Sequence, residues 1–237
     1  MNSNAHRRDN IAPARKAKLI GFALTPALAG IGVSGCASPA PPAAHSANLA
    51  EAALAKGKHQ TAVQHAEAAV LAEPRNAAYR ATLGSAYLDS GRFTSAATAF
   101  SDAIALGDNS SRTALSLALA YAADGNGQEA LHVLDSSEDK IAPSDLGLAY
   151  SLAGDPTRGI DVLTMALRGG ENTAKVRQNL AYSFALVGRW REARLMAGED
   201  VPADKLGDRM AAWASLVQPD FFFQAEDGIR YLTVTGV

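Results

Sequence analysis

Three glycines, Gly57, Gly91 and Gly125, stand 34 residues apart, and Ala62, Ala96 and Ala130 keep the same step. Gly154 and Gly188 are again 34 apart, after a step of 29 from Gly125, so the ladder has five rungs. A fixed period of this length marks a chain built from one supersecondary unit stacked several times. Each rung has the same local order: an apolar stretch of helical length, a glycine, and a second stretch that opens on a small residue. One helix pair cannot bury its apolar face alone, whereas stacked pairs share a continuous core. The glycine permits a tight reversal between the helices and the small residues let them approach closely. Long alanine-rich stretches with only 6% aromatic residues point the same way, since alanine is the strongest helix former and a poor strand residue. The expectation is an all-α fold.

Repeat two carries the pattern most fully, with Leu83, Gly84 and Tyr87 before the turn at Gly91, and Ala96, Phe100 and Ala103 after it. This resembles the tetratricopeptide repeat, and the resemblance implies a right-handed superhelical solenoid of about five helix pairs. Repeat one (43–76) keeps Leu49, Gly57, Ala62, Ala69 and Pro74, with alanine at other signature positions. Repeat three (111–139) keeps Leu117, Tyr121, Gly125 and Ala130 and then loses five residues around Asp135 to Asp139, which predicts a short second helix. Repeat four (140–173) keeps Leu146, Gly147, Tyr150, Gly154 and Ala166; Gly159 stands where the packing alanine belongs, and Pro156 should open the second helix. Repeat five, from 174, keeps Leu180, Gly188 and Ala193 with Phe184 in the tyrosine slot. Beyond it, Leu206, Met210, Ala211, Trp213 and Leu216 fall nearly on one helical face between Ala203 and Leu216, as expected of a capping helix. Tyr87, Phe100, Tyr121, Tyr150 and Trp190 are expected in the core.

The chain begins with basic residues up to Lys18, an uncharged apolar run from Leu19 to Val33, and then Ser34, Gly35 and Cys36. This is the order of a signal peptide. The run has 15 residues including Pro26 and three glycines, whereas a membrane-spanning helix needs about 20 mainly apolar residues. Val33-Ser34-Gly35-Cys36 resembles the lipobox of bacterial lipoproteins, which implies lipid attachment at Cys36. Ala37 after the cysteine implies, by the sorting rule of that group, the periplasmic face of the outer membrane. The domain reading is therefore a signal peptide at 1–35, a Pro/Ala-rich spacer at 36–46, the repeat domain at 47–218, and a foreign tail at 219–237. Phe221-Phe222-Phe223-Gln224-Ala225-Glu226-Asp227-Gly228-Ile229-Arg230 closely resembles a translated sequencing-library adapter, and three adjacent phenylalanines outside the repeat register have no evident partner.

Charge excludes one class of partner. The chain carries −2 overall, with +4 in residues 1–35 and −1 in residues 221–237, which leaves −5 for residues 36–220. An acidic body lacks the basic face that nucleic-acid binding requires. His59 and His65 are the only histidines close in sequence, and a separation of six puts them on different helical faces rather than in the i, i+4 arrangement that grips a metal. No GxGxxG or GxxxxGK(S/T) stretch follows a strand pattern, so the phosphate cradle of nucleotide binding is missing, and no GxSxG elbow occurs. The reading is a protein without catalytic residues, metal or cofactor.

In the tetratricopeptide family the first helices of successive repeats line a concave groove that holds a partner's peptide. Carried onto this chain, the resemblance assigns Ser85 and Asp89 in repeat two, and Arg112, Leu115 and Leu119 in repeat three. It assigns Leu148 and Leu152 in repeat four, and Lys175, Gln178 and Tyr182 in repeat five. Repeats three and five also share an opening, Asp108-Asn109 with Arg112 and Glu171-Asn172 with Lys175. That opening reads either as a two-point grip on a partner's acidic groups or as helix capping by Asn109 and Asn172. A lipobox followed by alanine-rich repeats is similar to the TadD-type lipoproteins of Flp (Tad) pilus assembly. The stretch from Ala81 to Trp213 carries that likeness, with Gly107-Asp108-Asn109 and Gly188-Arg189-Trp190-Arg191-Glu192-Ala193-Arg194 within it. It implies a scaffold for envelope components such as a secretin. Two alternatives stay open: an envelope protein that continues into a peptidoglycan-binding SPOR domain, and a regulator of an envelope enzyme.

Overall fold

The structure, a computed structural model, describes residues 42–217. The signal segment, Cys36 and the adapter-like tail all lie outside the described residues. Within them the chain forms eleven α-helices in five antiparallel pairs and a final single helix. The pairs are α1 (Ala43–Leu54) with α2 (His59–Ala72), α3 (Ala77–Asp89) with α4 (Phe93–Ala105), α5 (Ser111–Ala123) with α6 (Gly127–Asp135), α7 (Pro143–Leu152) with α8 (Pro156–Arg168), and α9 (Ala174–Leu186) with α10 (Trp190–Ala197). The last helix is α11 (Ala203–Leu216). Each pair packs on the next, so the fold is a helical solenoid. α1 begins at Ala43, inside the residues read as spacer, and buries Ala43 and Ser46.

The glycine ladder acts through one repeated closure. At Gly91, φ is +74°, a left-handed conformation that a side chain disfavours. There the Arg92 N–H bonds back to the Tyr87 carbonyl at 2.9 Å and the Gly91 N–H to the Leu88 carbonyl at 3.0 Å. That pair of bonds satisfies carbonyls that the end of α3 would otherwise leave open. The long bond recurs in every pair, into the carbonyls of Ala53, Tyr121, Tyr150 and Phe184. Each of those acceptors sits in the tyrosine slot of its repeat.

The packing alanines Ala62, Ala96, Ala130 and Ala193 are all 0% exposed. Around them the core changes character along the stack. Between α1 and α4 it is mostly alanine: Ala50, Ala53, Ala62, Ala66, Ala86 and Ala99, with Val63 and Leu83. From α7 onward it gains bulk, with Leu148, Leu163, Leu180, Tyr182, Phe184 and Trp213. Phe100 and Tyr150 are buried as expected, whereas Trp190, the first residue of α10, is an exposed surface residue. In this helix Ala193 and Ala197 are the residues that face the core.

The missing five residues fall where expected. α6 has 9 residues, against 13 in α4 and α8, and a 3₁₀ turn at Glu138–Lys140 leads into α7. As a result α6 touches α7 far less than α2 touches α3 or α4 touches α5. Pro156 opens α8 at its first position, behind the Asp155 side chain, which accepts from the Arg158 N–H at 3.0 Å.

Candidate protein-binding groove

The first helices pack in sequence, α3 on α5, α5 on α7 and α7 on α9, so the ten assigned groove residues lie on four adjacent rods. Their surroundings differ sharply along that row. On α3, Ser85 and Asp89 are half-buried; on α5, Arg112 is exposed and Leu115 and Leu119 are half-buried. The Ser85 hydroxyl is turned onto the Ala81 carbonyl at 3.1 Å. Burial pushes the Asp89 carboxyl up from its ordinary value, and the neighbouring His59 only partly offsets this. A carboxylate held there costs folding stability at neutral pH, and the position is paired more favourably by a cation from outside.

On α7 and α9 the row is closed. Leu148 is 0% and Tyr182 4% exposed, so both are core residues in this conformation, not open groove. Leu152 remains half-buried at the edge of the same cluster. Lys175 is bound within the chain, its Nζ 2.6 Å from Asp145 Oδ1 on α7. Gln178 donates to Asp200 at 3.2 Å. The proposed two-point grip of Arg112 and Lys175 therefore reduces to Arg112. Sequence reasoning missed Asp145 because its pairing depends on the angle between α7 and α9, although an acid 30 positions before Lys175, nearly one repeat, was a readable signal.

The capping alternative also needs correction, since neither asparagine caps a helix. Ser110 caps α5 by accepting from the Thr113 N–H at 3.2 Å, and Thr173 caps α9 by accepting from the Val176 N–H at 3.2 Å. Asp108 supports the first cap, accepting from the Ser110 N–H at 2.9 Å and the Thr113 hydroxyl at 2.6 Å. Burial opposes its ionisation, but these hydrogen bonds outweigh burial and hold its carboxyl below the ordinary value. Asn172 accepts from Arg177 at 2.5 Å, and Arg177 in turn grips Asp200. Its bond lowers the Asp200 pKa, more than burial raises it.

A second device, unread in the sequence, ties repeats together outside the groove. The Tyr150 hydroxyl donates to Asp135 at 2.9 Å, the Arg158 guanidinium reaches the same carboxylate at 2.6 Å, and that guanidinium lies 4.0 Å from the centre of the Tyr150 ring. Tyr87, Glu67 and Arg92 repeat the arrangement two junctions earlier, with 2.8 Å from hydroxyl to carboxylate and 4.3 Å from guanidinium to ring. Burial first, and the neighbouring acid second, raise the pKa of both tyrosines. Both hydroxyls therefore stay protonated and donating across the neutral range.

Among the described residues no group of three or more His, Cys, Asp or Glu is placed to hold a metal ion. No described helix is long and apolar enough to cross a membrane.

Residues 47–111 and 81–145 each match the family model described as tetratricopeptide repeat. The two windows start 34 residues apart, one repeat length. No curated protein matches the sequence. Among solved structures, a thermophilic tetratricopeptide protein of Thermus thermophilus is 24% identical with a TM-score of 0.57, covering 73% of this chain and 100% of its own. The pilF protein of Pseudomonas aeruginosa is 17% identical with a TM-score of 0.54, covering 82% of this chain and 93% of its own. YrrB, described as a tetratricopeptide protein with an unusual peptide-binding site, is 14% identical with a TM-score of 0.51, covering 70% of this chain and 90% of its own. These likenesses establish the fold: a tetratricopeptide-type solenoid.

Proposed function

We propose that this tetratricopeptide-type solenoid is a non-enzymatic protein-binding scaffold, held by lipid at Cys36 on the periplasmic face of the outer membrane. There it assists assembly or localisation of a Flp/Tad pilus secretion apparatus by holding a segment of an envelope partner such as a secretin. The observation that carries the binding role is the open row on α3 and α5. Ser85, Asp89, Leu115 and Leu119 are only half-buried, Arg112 is exposed, and helices α4 and α6 fill the space behind them. A mixed surface on a stack of packed helices suits an extended or helical segment, with apolar contact from the leucines and orientation from one acid and one base. The membrane part rests on the lipobox resemblance at Val33 to Cys36, and the pilus part on the likeness to TadD-type lipoproteins.

Two measurements test the parts separately. Tagged full-length chain, recovered from solubilised membranes, should bring down an envelope protein, and Arg112→Glu should reduce that recovery several-fold while leaving the thermal midpoint unchanged. Equal recovery by the variant would remove α5 from the binding surface. Cys36→Ala should abolish labelling with radioactive palmitate and move the protein out of the membrane fraction; retained labelling ends the anchor reading. Lys175 is a poor control, because reversing its charge sets it against Asp145.

A further inference from the structure

The α9 end of the row has an occupant, and it comes from this chain. α11 sets Trp213, 1% exposed, edge-on against the Tyr182 ring, with centroids 5.6 Å apart and planes at 67°. Leu148 belongs to the same apolar cluster, and Leu206, Met210 and Leu216 pack on it. Those four residues of α11 recur at i, i+4, i+7 and i+10, a single helical face. The opposite side, with Asp204, Lys205, Asp208, Ala211 and Ala212, is exposed. This is how an amphipathic helix is recognised by a groove: one aromatic anchor in a pocket, with flanking apolar contacts at helical spacing.

α11 is also held more loosely than any other helix. Trp213 is its one buried residue, and its indole N–H has no acceptor among the described residues. α11 touches only α9 and α10 appreciably, and each far less than α9 and α10 touch one another. Its root, by contrast, is fixed, since Asp200 is gripped by Arg177 and Gln178 of α9. Val201 and Pro202 then lead into the helix.

We propose that α11 is a displaceable intramolecular ligand of the groove, docked at its α9 end on Tyr182 until a partner's amphipathic helix takes its place. The incoming helix carries an aromatic residue with apolar residues three and seven positions before it, as Trp213 has Met210 and Leu206. The open α3–α5 half offers the first contact, and release of α11 uncovers Tyr182 on α9 for the second. Affinity for the partner is then reduced by the fraction of time α11 stays docked. The inference rests on the row of first helices being the partner surface.

Hydrogen exchange on the unaltered full chain reads the looseness directly. Amides of α11 should exchange at least about tenfold faster than those of α9, as one unit. A labelled synthetic peptide of residues 203–217 reads the site. It should bind full-length Trp213→Ala at least about tenfold more tightly than it binds the unaltered chain. The same peptide carrying Trp213→Ala should not bind. Protection of α11 equal to that of α9, equal binding to both chains, or binding to neither would overturn the proposal. Should Trp213→Ala fail to fold, Met210→Glu releases the same face and decides the peptide experiment. If the groove is not the partner surface, Arg112→Glu leaves partner recovery intact while the peptide still binds, so the two failures are distinct.

Discussion

At position 159 the repeat asks for alanine and the chain has glycine. A Cβ there would lie 2.0 Å from the Ser151 Oγ and 2.4 Å from the Gly147 carbonyl oxygen. The hydroxyl is fixed in place, bonded to the Gly147 carbonyl at 3.0 Å and to the Ser183 hydroxyl at 2.7 Å. Serine on α7 and glycine on α8 are therefore one exchange, a polar contact to α9 gained at the cost of a methyl group. Gly159→Ala should destabilise by about 1–3 kcal/mol through overpacking, read as a lower denaturant midpoint. An unchanged midpoint would mean that α7 and α8 part freely. Tyr150 makes a complementary case, since its ring is 0% exposed and its hydroxyl serves Asp135. Tyr150→Phe keeps the ring and should cost about 1 kcal/mol; the same measurement checks it.

Among the elements, the turns were legible and the lateral ties were not. The glycine ladder marks each reversal because a left-handed residue is needed at that point whatever surrounds it, so Gly57 to Gly188 placed all five pairs. The short α6 and the proline start of α8 followed from local spacing. Lys175 was misread because an ion pair to Asp145 is decided by helix packing, which no single window of sequence contains. The aromatics split for the same reason: Trp213, on the face that meets α9, is buried, whereas Trp190 is not. The corner between α10 and α11 depends on Asp200, whose carboxyl sits below its reference value of 3.8, chiefly through the bond from Arg177. A depressed folded pKa contributes stability that is complete above the reference and is lost as pH falls through the lowered value. Asp200→Asn should thus lower the thermal midpoint at pH 7, with the difference from the unaltered chain shrinking below about pH 4. A difference that is the same at both pH values would show that the carboxylate's charge is not what holds the corner.

Across the whole molecule the core is graded, alanine at the N-terminal end and leucine and aromatic side chains at the C-terminal end. Apolar burial stabilises in proportion to area, about 25 cal/mol per Å², so the alanine end gains least from stacking. In a solenoid each repeat is supported only by its neighbours. Amides of α1 and α2 should therefore exchange well before those of α7 and α9, by about tenfold or more, in native-state exchange followed by mass spectrometry. Uniform protection from α1 to α9 would contradict the graded core. The groove was legible only as a row of positions. Which half stands open was not, because that depends on how α7 and α9 pack together and on where the last helix lies down.

The shortened α6 bears on how such a stack can deform. Where α6 falls short of α7, the apolar cluster of Leu134, Ile141, Leu146 and Tyr150 is joined by Arg158 reaching back to Asp135 and Glu138, 2.6 and 3.3 Å away, all on partly exposed side chains. Charges in contact with solvent weaken as ions are added, while buried apolar faces do not. This junction thus has a tie whose strength depends on the surrounding electrolyte, set between the open α3–α5 half of the groove and the α9 end where α11 docks, so bending there would alter the reach from one to the other.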